Sequence, residues 1–162
     1  MEEIFTIRTA TPEDAALVAL HRRWMFADIR HYEPEALDIM EEQFRTWVKD
    51  KLEKDEYKGW FAVNSEQQVV AGAGLWLRPW VADPRNLSEL EGHIINVYVC
   101  PEYRQQGLAR RVMEAMVAWC DEQGHVFLSL DASPAALHLY ETLGFEVYPR
   151  RMNRYHFPAA GN

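Results

Sequence analysis

Apolar positions along the chain switch several times between an alternating and a helical register. Residues 4 to 8, "IFTIR", alternate as a half-buried strand does. "TPEDAALVALHRRWMFADI" then places Thr11 as N-cap, Pro12 at the first helical position and acidic residues in the first turn, which predicts a helix. Pro34 restarts helical spacing through Leu37, Met40, Phe44, Trp47, Val48 and Leu52, until the charged "KDKLEKDEYKG" ends it. "GWFAVN" and "VVAGAGLWL" flank the polar "SEQQ" and predict an antiparallel hairpin, with Gly72 and Gly74 marking a bulge or a close backbone approach.

Residues 78 to 92, "RPWVADPRNLSELEG", carry two prolines and no period, so a loop of about a dozen residues is expected. "HIINVYV" reads as a strand, the segment from Leu108 to Gly124 as a helix, and "VFLSLDA" as a further strand. "SPAALHLYETLGF" is a short helix with Ser133 as N-cap, Pro134 after it and Gly144 closing it. The tail "EVYPRRMNRYHF" is expected to add one or two strands. The order of elements predicts an α/β (α+β) fold, a mixed, mostly antiparallel sheet of six to seven strands flanked by about four helices, in one domain spanning 1–162.

A chain of 162 residues with 48% hydrophobic residues has the material for one core. Its net charge of −8 opposes a nucleic-acid footprint, because phosphate backbones need a surplus of basic surface. No signal-like N-terminus and no apolar run of about 18 residues is present, so a cytoplasmic protein without a membrane partner is expected. Cys100 and Cys120 read as reduced thiols, and the scattered histidines predict no metal.

The chemistry concentrates at the join "VYVCPEYRQQGLARRVM". Arg110 and Arg111 fall in the first turn of a helix, the end whose dipole disfavours cations. Gly107 permits a tight turn that exposes free N–H groups at the helix start, an arrangement suited to an anion such as phosphate. The alternative is a plain strand-to-helix turn with solvated arginines. A P-loop is absent, and "AGAGLWL" is not followed by the helix that a dinucleotide fold requires.

"RQQGLA", after "NVYVCPEY" and before a helix, resembles the R/Q-x-x-G-x-G/A signature of the Gcn5-related N-acetyltransferases. "SPAALHLYETLGF" is similar to that family's N-x-x-A-x-x-L-Y-x-x-x-G-F segment. The resemblance implies acetyl-coenzyme A as cosubstrate. Its pyrophosphate would lie on the main chain of Gln105, Gln106, Gly107, Leu108, Ala109 and Arg110, braced by Arg104, and its pantetheine arm along Val97, Tyr98 and Val99. Ser133 and Ala136 fall in the second motif. Ser133 stands where the family often has asparagine, which leaves an amide contact there open.

The same resemblance makes Tyr140 the proton donor to the coenzyme sulfur, with a core tyrosine as the other reading. An alkyl amine of pKa about 10.4 is nearly all cationic at pH 7, and recovering its lone pair costs roughly 4 to 5 kcal/mol, so a base near the acceptor is useful. His93 and Glu91, two residues apart on one strand face, are the candidates; the alternative makes His93 an ordinary strand residue and Glu91 a solvated loop carboxylate. Trp24, Phe26, Tyr32, Trp76 and Trp80 with Glu33, Asp83, Glu89 and Glu91 would suit a cationic acceptor, or are simply core and solvated loop. The expectation is acetyl transfer to a small-molecule amine. A non-catalytic acetyl-coenzyme A sensor, a peptide or lysine acceptor, and a homodimer stay open.

Overall fold

The computed structural model describes residues 3–148 and 152–155. Five strands, β1 (Thr6–Thr9), β2 (Tyr57–Val63), β3 (Val69–Pro79), β4 (Leu90–Val99) and β5 (Leu128–Leu130), lie side by side in chain order. Pairing is antiparallel from β1 to β4, and β5 joins β4 in parallel. Helices α1 (Ala15–Ile29) and α2 (Pro34–Glu53) cover one face of the sheet, and α3 (Leu108–Gln123) and α4 (Leu137–Thr142) the other. Among the described residues, no helix is long and apolar enough to cross a membrane.

Local chemistry accounts for the boundaries. Asp14 takes the Thr11 N–H at 2.8 Å and pairs with Arg8, so β1 passes to α1 through a short turn at Pro12–Asp14. Pro34 opens α2 and Gly124, in the left-handed region, closes α3. On the α3 face, Trp60, Ala62, Val70, Leu75 and Ile94 pack on Leu108, Val112, Met113, Met116 and Cys120. On the other face, Tyr57, Phe61 and Val63 meet Ala15, Val18, Val48 and Leu52. Burying a large apolar side chain is worth about 1.5 to 3 kcal/mol, so these two layers hold the sheet in place.

The expected bulge exists. Between Gly72 and Gly74 the β3–β4 register slips by one residue, and Asn96 takes up the excess with φ +59°. The Cβ of any other residue at 74 would lie 1.8 Å from the Tyr57 hydroxyl, so glycine is required for the close approach.

Three expectations need correction. The described sheet has five strands, not six or seven. Residues 146–148 and 152–155 of the tail form no strand, and the remaining tail positions, 149–151 and 156–157, lie outside the described residues. Strand β4 begins at Leu90 rather than His93, so Glu91 is a strand residue, 2% exposed, and not a solvated loop carboxylate. The loop from 80 to 89 is correspondingly shorter, and the buried Asn86 closes it through the Leu90 carbonyl.

His21 of α1 is buried, its Nε2 has no hydrogen-bond partner among the described residues, and burial pushes its imidazole down to about 4. Between pH 6.5 and 4 the unfolded chain therefore binds a proton that the folded chain refuses. His21 leaves stability intact above about pH 6.5 and costs up to roughly 3 kcal/mol as pH falls toward 4. His21→Leu is expected to flatten the urea midpoint over that range; an unchanged slope assigns the loss to carboxylates instead.

Candidate functional site

The turn after β4 is built by a proline and two left-handed residues. Pro101–Tyr103 forms one tight turn, Gln105 follows at φ +62° and Gly107 at φ +74° just before α3. A left-handed residue next to an ordinary one turns successive N–H groups to one side and makes an anion-binding hollow. No acceptor among the described residues meets the N–H groups of residues 105 to 110, and a Cβ at Gly107 would meet nothing within 4 Å. The hollow is open, at the positive end of a 16-residue helix.

The arginines around it do a different job from direct anion binding. Arg104 donates through Nε to the Val99 carbonyl (3.0 Å) and pairs with Asp28 of α1. Arg110 donates to the Thr142 hydroxyl (2.5 Å) and sits 3.6 Å from Glu114, while Arg111 donates to the Phe5 carbonyl (2.8 Å). They tie the loop to β4, α1, α4 and the chain start. Leu108 is fully buried, so only its main chain reaches the hollow; Ala109 is half-buried, and Gln105 and Gln106 are exposed.

β4 runs on past its pairing with β5 toward the hollow. β5 pairs only Gly92, His93 and Ile94, whereas β4 continues to Val99. Cys100 donates to Val70, and the alternation of an antiparallel ladder then turns the main-chain groups of Val99, and of Val97 two residues back, to the edge away from β3. Tyr98 faces the other way, packed on His21 and Trp24. Tyr140 of α4 is 8% exposed, beside Phe145; its hydroxyl meets no acceptor among the described residues, and burial pushes its pKa up. Ser133 precedes α4 without a side-chain capping bond, and Ala136 packs against the α3 layer.

On the α1 and α2 face, β4 presents Glu91 and His93, both buried. Ser129 of β5 links them: its Oγ lies 2.8 Å from His93 Nδ1 and donates to Glu91 Oε2 at 3.4 Å. Glu91 also pairs with Arg78 of β3. With the Ser129 proton on Glu91, His93 Nδ1 is a donor and the basic lone pair falls on Nε2. Sequence reasoning missed Ser129 and Arg78, whose only signal is a place at the same height on neighbouring strands.

The aromatic residues considered for a cation do not form one cage. Trp76 packs on Trp47, Trp80 on Phe127 under Arg85, Trp24 on Tyr98, and Phe26 on Tyr32. Asp83 is held by Arg85 and Glu91 by Arg78, while Glu33 and Glu89 are exposed.

Residues 16–145 match the model of the acetyltransferase (GNAT) family. Over 68 residues the chain is 35% identical to the ribosomal protein bS18-alanine N-acetyltransferase of Escherichia coli (strain K12), a match covering 40% of this chain and 46% of that protein, so it spans about half of this relative's length. It is similar in structure to a GCN5-related N-acetyltransferase from Ralstonia eutropha JMP134, with a TM-score of 0.86, 27% identity, and 94% and 99% of the two chains covered. The crystal structure of a predicted acetyltransferase with acetyl-CoA from Clostridium acetobutylicum shares the fold, with a TM-score of 0.85, 21% identity, and coverage of 94% and 96%.

Proposed function

We propose, from the premise that this chain belongs to the acetyltransferase (GNAT) family, that it transfers the acetyl group of acetyl-coenzyme A to the amine of a small molecule. The observation that carries this reading is the open row of N–H groups from 105 to 110, continuous with the stretch of β4 beyond Ile94 that no described strand pairs on that edge. A pyrophosphate on that row, over Gln105, Gln106, Gly107, Leu108, Ala109 and Arg110, lets the pantetheine run past Val97 and Val99 as an added strand would. Arg104 holds the loop to Val99 and Asp28 throughout.

The acceptor ammonium loses a proton to His93 through water, with His93 oriented by Ser129 and Glu91, and the freed lone pair attacks the thioester carbon. A main-chain N–H of the β4 edge between Val97 and Val99 stabilises the oxyanion. As the intermediate collapses, the C–S bond breaks, the new C–N bond remains, the thiolate takes a proton from Tyr140, the phenolate recovers one from the nitrogen that attacked, and His93 returns its proton to solvent. Burial keeps that phenol protonated at neutral pH, as a donor must be. Thiol release across a panel of primary amines tests the reading: amine-dependent release is expected, whereas coenzyme binding without release from any amine would make the protein a sensor.

A second acceptor class has one specific support. The Escherichia coli relative is named for an alanine of a ribosomal protein, and a peptide N-terminus would use the same base. Alanyl peptides therefore belong in the panel.

His93→Gln is expected to lower kcat/KM at pH 7 by about tenfold or more. Near pH 10 the two enzymes should converge, because the amine there deprotonates unaided. A parallel drop at every pH would assign His93 to structure only.

A further inference from the structure

We propose that the acceptor amine carries an oxyanion, a carboxylate or a phosphate, and that Arg22 of α1 is its receptor. This rests on the transferase reading and names its substrate class. Arg22 lies over the rings of Phe26 (4.9 Å) and Phe44 (4.7 Å), which fixes the plane of its guanidinium at the seam between α1 and α2. Its Nη1 donates to Asn96 Oδ1 at 2.9 Å, and Asn96 in turn donates to the Tyr57 hydroxyl at 3.2 Å. Asn96 is the bulge residue of β4, directly before Val97, so this cation stands on the acceptor face beside the strand segment proposed to hold the thioester.

What is missing is a counter-charge. Arg8, Arg23, Arg78, Arg85, Arg104 and Arg110 each lie within ion-pair distance of an Asp or Glu, in a chain with 25 acids and 17 bases. Arg22 has no such partner among the described residues. Its Nε is buried, and neither Nε nor Nη2 makes a hydrogen bond to a described residue. The Nε and Nη2 donors form the edge that takes a carboxylate or phosphate in two parallel bonds. Desolvation without a counter-ion already pushes the guanidinium pKa down, and an arriving oxyanion removes that penalty. A neutral asparagine fixes the head and leaves the Nε–Nη2 edge without a polar partner among the described residues.

The test measures kcat/KM for L-amino acids against their primary amides, and for phosphoethanolamine against ethanolamine, in the wild type, Arg22→Gln and Arg22→Lys. The expected result is a preference of about tenfold or more for the carboxylate or the phosphate member, lost in Arg22→Gln and weakened in Arg22→Lys, which keeps the charge without the fork. Turnover of the neutral amines and affinity for coenzyme A should be unchanged. Equal use of both members of each pair by the wild type overturns the proposal, as does an equal loss for all amines in both variants, which marks Arg22 as a prop for the bulge. If no amine is acetylated at all, the transferase reading fails separately. Calorimetry of the same probes on the coenzyme A complex then decides: Arg22-dependent binding of the anionic member supports the proposal, and its absence overturns it. Arg22→Lys and the wild-type pairs remain decisive if Arg22→Gln does not fold.

Discussion

Tyr140→Phe is expected to lower kcat at least about tenfold and to leave affinity for coenzyme A within about twofold. A general acid contributes roughly a hundredfold to ten-thousandfold, and a thiolate of pKa near 8.5 leaves more readily than an alkoxide, so an effect down to about a tenth of that lower bound is enough. Phenylalanine keeps the ring contact with Phe145 and the packing under α3. The phenol makes no hydrogen bond to a described residue, so the melting temperature should hold. Steady-state thiol release with a saturating amine, beside a coenzyme titration of both proteins, checks it. Equal kcat in the two would make Tyr140 a core residue and nothing more.

Gly107→Val should weaken coenzyme binding by about a hundredfold. At φ +74° a β-branched residue is strained by roughly 1 to 2 kcal/mol, and relaxing it rotates the N–H groups of the hollow out of alignment. Hydrogen bonds to a charged group are worth about 1.5 to 3 kcal/mol each, so losing two is enough for that factor. The new side chain also enters space that is now empty within 4 Å of the Cβ position. Nothing in the fold blocks it, so the protein should still fold with a lowered melting temperature. Unchanged affinity would mean that the loop is a turn and holds no phosphate.

These two sites are legible in the sequence because their signals are local. Pro101 and Gly107 set the loop, the helix after it follows from its apolar spacing, and Ser133, Pro134 and Gly144 frame the helix that carries Tyr140. What the linear pattern hides comes from pairing between distant segments. Leu90, Glu91 and Gly92 show no alternation, yet Arg78 across the ladder draws Glu91 into the sheet and lengthens β4. Ser129 joins His93 only through a parallel contact 36 residues away. Arg22, in "HRR", looks like one of two solvated arginines until Phe44 of α2 closes over it. The described tail residues Val147, Tyr148, Met152 and Tyr155 are exposed, so their apolar character alone makes no strand.

On the proposed reading, main-chain N–H groups at the start of α3 grip a diphosphate. The most direct measurement follows the backbone amide resonances as coenzyme A is added to the unaltered protein. Large, saturable shifts confined to Gln105 through Arg110 and the Val97–Val99 edge are the predicted result; no shift there, or saturation centred on another part of the sheet, contradicts it.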